Sequence, residues 1–489
     1  MLFNSYVFLM AFLPITWLVY FGLNHLRMYK LATGALLIAS FVFYGYQNWR
    51  LCILLATSIL VNYILHCMLT EGGYSKAQRK LFLFCGLAAN FGLLYFFKYF
   101  DFTIENINAL TGSHFVLRNI VLPLGISFYT FQQVSFVVDS YRRNIKRYQF
   151  PEYAIFVAFF PQLVAGPIVL HSEMIPQFAD RGKRRVDFTN MMSGMEYLII
   201  GLSKKVLLAD SFGRVCDAGY VALRNLNSLS AIAVILSYTL EIYFDFSGYC
   251  DMAMGIGKLF NIDIPVNFRS PYKAVNIADF WRRWHITLTR FLTTYLYIPL
   301  GGNRGEKWKT YRNVLIVFLL SGLWHGADWS FVVWGGLHGV MMVLYRLNKE
   351  KVDRLPKWFS WGLTFAFLNV AWAFFGMESI VQPFKLFAMV ALGGVGGFTQ
   401  EVVDAFCGKN LLVTLSGYVL SGSALEVFTQ LLSAAWLIGG TVLCVAAPSS
   451  HEIVDRKCRR QLYFFLLAAA LFLSVVRLSE VSKFIYFNF

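Results

Sequence analysis

Charge is scarce in this 489-residue chain, where Asp, Glu, Lys and Arg together make up 14%. A soluble domain carries about 25%, so a soluble globular enzyme is excluded, as are a disordered tail protein and a secreted disulfide scaffold. Acids are the scarcer sign, 27 against 43 Lys and Arg, leaving +16. Cysteine supplies no pattern: Cys52, Cys67, Cys85, Cys216, Cys250, Cys407, Cys444 and Cys458 are scattered without a CxxC pair. Most sit in apolar stretches, where Cys acts as a small hydrophobe, so neither a disulfide framework nor a metal site is indicated. Familiar catalytic signatures are also missing. Without GxxxxGK[ST], HExxH, GxSxG or a DxD pair, a nucleotide-driven pump, a zinc protease, a hydrolase elbow and a metal-dependent glycosyltransferase lose support. No internal repeat recurs at a fixed period, which counts against a secondary transporter built from paired halves.

What remains is apolar: 57% hydrophobic residues, 18% aromatic. Stretches of about twenty apolar residues, enough to cross roughly 30 Å of hydrocarbon as helix, recur from end to end. The expected fold is an all-α polytopic membrane protein in a single domain. Spanning helices are expected near 3–23, 31–49, 51–69, 81–100, 120–138, 191–208, 228–249, 312–327, 329–347, 358–377, 428–447 and 460–477. The first, MLFNSYVFLMAFLPITWLVYFGL, lacks a basic n-region and a small-residue cleavage site and reads as a retained helix.

The cations lie in short tracts between these segments, as orientation signals do, and not in a nucleic-acid-binding patch. The apolar segment 151–170 carries Pro151, Pro161 and Pro167 and has basic tracts on both flanks, so it reads as a re-entrant hairpin. Loops 101–119 and 378–427 then come out external, as do both termini, while 258–312, 346–357 and 450–460 face the cytoplasm. Lys204 and Lys205 fit this scheme poorly.

Residues 258–312 hold ten cations against Asp263, Asp279 and Glu306, interleaved with Trp281, Trp284, Tyr295, Tyr297 and Trp308. That pattern suits an amphipathic helix in the membrane interface; an orientation signal contacting anionic lipids is the blander alternative.

Ionisable groups within membrane segments are costly and are functional candidates by default. His325 stands out, in Ser321-Gly-Leu-Trp324-His325-Gly-Ala-Asp328, about 20 Å along a helix from Arg312 at 1.5 Å per residue. Two readings stand side by side: a histidine packed and bonded between helices, or a base whose pKa suits proton abstraction near neutrality. His285, in Asp279-Phe-Trp281-Arg282-Arg283-Trp284-His285, reads alone as an interface residue. His338 reads as structural, and His25, His66, His114, His171 and His451 have no comparable surroundings. Asp245 and Asp251 are placed at the cytoplasmic end of a helix or in the turn after it, pairing with nearby arginines or orienting a histidine.

Taken together, several segments resemble one family. They are LPLGISFYTFQ (122–132), FFPQLVAGPI (159–168), YFDFSGYCDMAMGIG (243–257), NFRSPY (267–272), DFWRRWHITLTRFLTTYLYIPLGGNR (279–304), GLWHGADWSFVVWGGLHG (322–339) and FIYFNF (484–489). The chain resembles the membrane-bound O-acyltransferases, and among them the bacterial branch that contains the membrane subunit of alginate O-acetylation. The resemblance implies a helical ring with a thinned centre, a catalytic core over 120–347 followed by C-terminal helices over 348–489, and a catalytic histidine inside the membrane at His325. It implies a second functional histidine at His285. Arg282, Arg283, Trp324, Asn267 and Asp245 are then candidates for holding the donor. The implied reaction moves an acetyl or other short acyl group from a thioester such as acetyl-CoA to a hydroxyl, with no resident cofactor or metal. The implied setting is the bacterial cytoplasmic membrane, with an extracytoplasmic acyltransferase as partner and a polysaccharide such as alginate as acceptor. Peptidoglycan, cellulose and teichoic acid D-alanylation are the alternatives.

Overall fold

The computed structural model describes residues 1–377, 379–408, 422–456, 461–478 and 484–485. Cys458, Asn488 and the last four residues of FIYFNF lie outside the described residues. Every regular element among the described residues is helical. Seven helices are long and apolar enough to cross a membrane: Val7–His25, Arg50–Thr70, Lys76–Thr111, Ser228–Leu259, Trp329–Leu347, Lys357–Gly376 and Ser423–Ala446. Tyr29–Gly45 and Gln461–Arg477 are shorter apolar helices. The twelve expected spans are therefore all helical, but fewer satisfy both length and apolarity. The helix expected at 120–138 begins only at Ile126, after left-handed Gly125, and is buried along nearly all its length to Arg142. It belongs to the protein's interior. Loop 101–119 is also corrected, because the preceding helix runs on to Thr111 and ends at left-handed Gly112.

The 32-residue helix Ser228–Leu259 is the central post, with most of its side chains buried. Helix Phe188–Ser203 packs antiparallel to it through glycines: Gly194 faces the carbonyl of Gly255, and Gly201 that of Gly248. Each pair is reciprocal, so a Cβ on any of the four would meet backbone. Small residues bring helices close in membranes, where apolar burial alone gives little attraction.

Lys204 and Lys205 follow directly, in a π-helical stretch Lys204–Ala209. They are not loop cations. Lys204 Nζ donates to Asp251 and Ser450, each at 2.7 Å. Lys205 is buried and pairs with Asp245 at 2.7 Å and Asp210 at 2.8 Å. Their poor fit to the loop-charge scheme has this physical cause: the charges are neutralised inside the helix pack. Asp245 is corrected at the same time. It lies inside the long helix, bonded to Lys205 and to the backbone N–H of Ile485.

Segment 151–170 is buried and broken as its prolines require. Helix Phe150–Ala158 ends at Phe159, a four-residue helix follows, and the next helix starts at His171.

The basic stretch departs most from expectation. In place of one interfacial helix there are two short helices, Ile277–Arg283 and Ile286–Leu292. Trp281 and Trp284 point inward. Trp284 lies 4.8 Å from Trp372 and 5.5 Å from Phe280 between ring centroids, and Trp281 lies 5.1 Å from His338. Their aromatic area is buried among other rings, so it is not offered to the lipid interface. The cations stay outside: Arg282 is 73% exposed and, with Arg283, leans on Asp279. Beside this stretch, burial works to raise the Asp263 carboxyl, but Lys183 at 2.7 Å and Lys258 at 2.9 Å outweigh it and hold it below its usual value.

Candidate active site

His325 is the last residue of helix Lys307–His325. Gly326 is extended, and Asp328 starts the next helix by accepting from the Ser330 N–H at 2.7 Å. The two helices therefore turn back on each other. They pack closely, Gly322 against the Phe331 carbonyl and Gly335 against that of Phe318, where a Cβ would collide. This contact holds the His325 turn against the start of Trp329–Leu347. The His325 ring is buried in an aromatic wall, edge-on to Trp334 at 5.1 Å, Phe375 at 5.2 Å and Trp324 at 4.9 Å between centroids. Trp324 stacks in turn on Phe131 at 5.1 Å.

Next to this wall lies His285, whose ring centroid is 6.3 Å from that of His325. His285 is fully buried and joins the two short helices in a left-handed conformation, φ 44° and ψ 52°. A non-glycine residue held there is strained, and such residues cluster at functional sites. The bend turns the imidazole away from the helix face it would otherwise occupy. The reading of His285 as an interface residue is thus replaced by a place in the core.

Asn267 fixes the state of that imidazole. The Thr287 N–H, which can only donate, meets Asn267 Oδ1 at 3.1 Å, and the Thr287 hydroxyl meets it at 2.9 Å. The same oxygen lies 3.2 Å from His285 Nδ1. An amide oxygen only accepts, so Nδ1 carries the proton and Nε2 keeps its lone pair. His285 Nε2 makes no hydrogen bond among the described residues. The arrangement leaves one basic nitrogen, with its tautomer set by Asn267, on a ring 6.3 Å from that of His325. Asn267→Ala is expected to leave those donors unsatisfied and free the tautomer. Turnover per copy should fall about 10- to 100-fold, the rate equivalent of 1–3 kcal/mol, with little change in the amount of protein in membranes. Initial rates normalised by immunoblot measure it.

Three cavities border the His325 helix or the turn after it, none of them lined by His325 or His285: one of about 370 Å³ takes in Tyr99, Leu323 and Trp324, and two others bring charged groups near it. One, of about 220 Å³, is lined by Trp281, Leu292, Val317, Ser321, Met342 and Arg346 among others. Ser321 is one turn before His325 on the same helix face, and Arg346 is the cation of this lining. The other, of about 310 Å³, includes Lys98, Asp101, Gly326, Ala327, Asp328 and Phe331. Ser321 and Gly326 are about 8 Å apart along a helix at 1.5 Å per residue. Neither Arg282 nor Arg283 belongs to the 220 Å³ lining.

Among the expected site residues, the structure brings together His325, His285, Trp324 and Asn267. Asp245 serves the lysine pair described above. His338 packs among Phe280, Trp281, Phe318, Trp334 and Phe367, with no hydrogen bond at either ring nitrogen. Sequence reading missed Lys98 and Tyr99, although a lone lysine inside an apolar segment was a signal of the same kind as His325. It also missed a polar cluster in which His171 Nε2 and the Tyr295 hydroxyl share Asp139 Oδ2 at 3.3 and 2.7 Å, while His66 Nδ1 meets Ser140 at 2.8 Å. No group of three or more metal-ligating side chains is found among the described residues.

An all-α, multi-pass body that buries a histidine pair defines a membrane-embedded enzyme. The chain belongs to the membrane-bound O-acyltransferase family, whose model matches residues 13–380, and it is an O-acyltransferase. It is 43% identical over 426 residues to a peptidoglycan O-acetyltransferase of Helicobacter pylori, covering 81% of each chain. It is 36% identical over 400 residues to the probable alginate O-acetylase AlgI of Pseudomonas aeruginosa, covering 80% of this chain and 75% of that one. A teichoic acid D-alanyltransferase of Bacillus subtilis is more distant, 26% identical over 305 residues, or 60% of this chain and 75% of that one.

Proposed function

We propose that this protein takes an acetyl group from a cytoplasmic thioester and passes it to a hydroxyl on the far side of a bacterial cytoplasmic membrane, for O-acetylation of an extracytoplasmic glycan. The observation that carries the reading is the position of His325 at the end of its helix, its buried ring 6.3 Å from that of His285, with a cavity bordering the turn that follows.

His325 takes the proton of the attacking hydroxyl. The hydroxyl oxygen bonds to the thioester carbonyl carbon, the C–S bond breaks, and the departing sulfur receives the proton back from the imidazolium. Neutral His285, with a lone pair on Nε2, accepts a hydrogen bond and so orients the hydroxyl or a donor N–H. A lone pair does not stabilise an oxyanion, so charge stabilisation falls to other groups. The thioester arm enters beside Arg346, on the side where the basic loops collect. Exposed Arg282 and half-buried Arg283 attract the phosphates of a donor such as acetyl-CoA, or lipid head groups. The acceptor side is the cavity beside Gly326 and Asp328.

Peptidoglycan is the acceptor favoured, because the peptidoglycan-directed relative is the more similar of the two acetyltransferase relatives, 43% against 36%. In this reading the acetyl group reaches the glycan through a separate extracytoplasmic acyltransferase. The alternative acceptor is a secreted polysaccharide resembling alginate. Mass spectrometry of muropeptides and of secreted polysaccharide, from cells with and without the protein, decides between them. Loss of acetyl esters from muropeptides alone is expected, and loss from the secreted polymer alone would transfer the assignment to it. Unchanged esters in both would end the reading.

A further inference from the structure

Helix Lys76–Thr111 is interrupted by a π-helical stretch, Tyr95–Tyr99. In an α-helix, consecutive side chains diverge by about 100° and do not serve one neighbour. The wider π turn brings Lys98 and Tyr99 to the same target. Lys98 Nζ donates to the carbonyl of Trp324 at 2.6 Å and to that of His325 at 2.9 Å. The Tyr99 hydroxyl donates to the carbonyl of Leu323 at 2.9 Å. Three successive carbonyls at the end of the His325 helix thus take their partners from one dipeptide on another helix.

The last carbonyls of a helix have no partner within it and carry the negative end of its dipole. Most soluble helices meet this need with water or a glycine turn. Here Trp324 and His325 are buried, so the missing partners must come from the protein. An ammonium group answers the hydrogen-bond and the electrostatic demand together. π turns of this kind are rare and occur often at functional sites.

We propose that Lys98, with Tyr99, is a positioning residue for the acyl transfer: it clamps the last turn of the catalytic helix and so sets where the His325 imidazole sits. The clamp acts on the backbone of 323–325 and not on the imidazole itself. This inference rests on His325 being the reacting base, and the two can fail separately.

The test uses the full-length protein in its own membrane. It measures the initial rate at which acetyl esters appear on the extracytoplasmic glycan, per copy of protein, together with the melting temperature in detergent. Lys98→Met is expected to lower the rate per copy at least tenfold. Lys98→Arg, which keeps charge and donors, should restore it to within about threefold. Tyr99→Phe removes one bond and no volume, and should cost about two- to fivefold. Melting temperatures of the arginine and phenylalanine variants should stay at the parent value. A purely structural role predicts that rate losses follow melting temperature and that arginine rescues nothing; either result overturns the proposal. Should Lys98→Met fail to accumulate, Tyr99→Phe and Lys98→Arg decide alone. Full rate in Tyr99→Phe overturns the clamp, and so does a loss of tenfold or more in Lys98→Arg at unchanged melting temperature. An inactive His325→Ala beside a fully active Lys98→Met sinks the clamp and spares the function. An active His325→Ala sinks the functional reading itself.

Discussion

His325→Ala is expected to abolish acyl transfer while the protein still reaches the membrane and folds. General-base catalysis contributes about 10²- to 10⁴-fold, and none of the other buried histidines stands in the same place. His285 is held from behind by Asn267 at 3.2 Å, and His338 is enclosed by aromatic rings. The smaller side chain leaves a cavity in the aromatic wall. Acetyl esters on the extracytoplasmic glycan should fall to the level of cells without the protein, at equal membrane abundance. Retained full activity would remove His325 from the chemistry.

The second large effect concerns stability. Lys205 is buried between Asp210 and Asp245, and losing it removes the cation that the two acids share. Breaking a buried ion pair from one side costs about 3–5 kcal/mol. Lys205→Met should therefore lower the melting temperature in detergent sharply and reduce the yield of monodisperse protein. Asp245→Asn leaves the Lys205–Asp210 pair intact and should cost less than half as much. Equal losses in the two variants would mean that the lysine does not serve both acids. A mild loss of activity in Asp245→Asn, in step with its stability, would confirm that Asp245 holds helices together and does not hold the donor.

These two predictions mark what could and could not be read from the chain. His325 was legible because a histidine beside glycines in an apolar segment is costly and conspicuous. His285 was legible only through the family motif, since its surroundings of Trp281, Arg282, Arg283 and Trp284 suggest an interface. The left-handed bend that buries it leaves no periodic trace. Lys205 and Asp245 lie 40 residues apart, so their pairing depends on how helix Phe188–Ser203 docks on Ser228–Leu259. The glycines at 194, 201, 248 and 255 govern that docking, and their sevenfold spacing was present in the sequence without being informative alone. Helix 126–142 was misplaced for a related reason: hydropathy registers apolarity and cannot tell a lipid neighbour from a protein one. Lys98 and Tyr99 were hidden by register, because a π turn shifts side-chain direction with no change of composition.

The ring of Trp324, Trp334 and Phe375 around His325 has a consequence for the cell that houses the enzyme. A passage open to both faces of an energised membrane would drain its proton gradient. Trp324, Trp334 and Phe375 each meet the His325 ring edge-on. An aromatic surround of this kind lets a membrane hold a reacting base in its interior while remaining an electrical insulator.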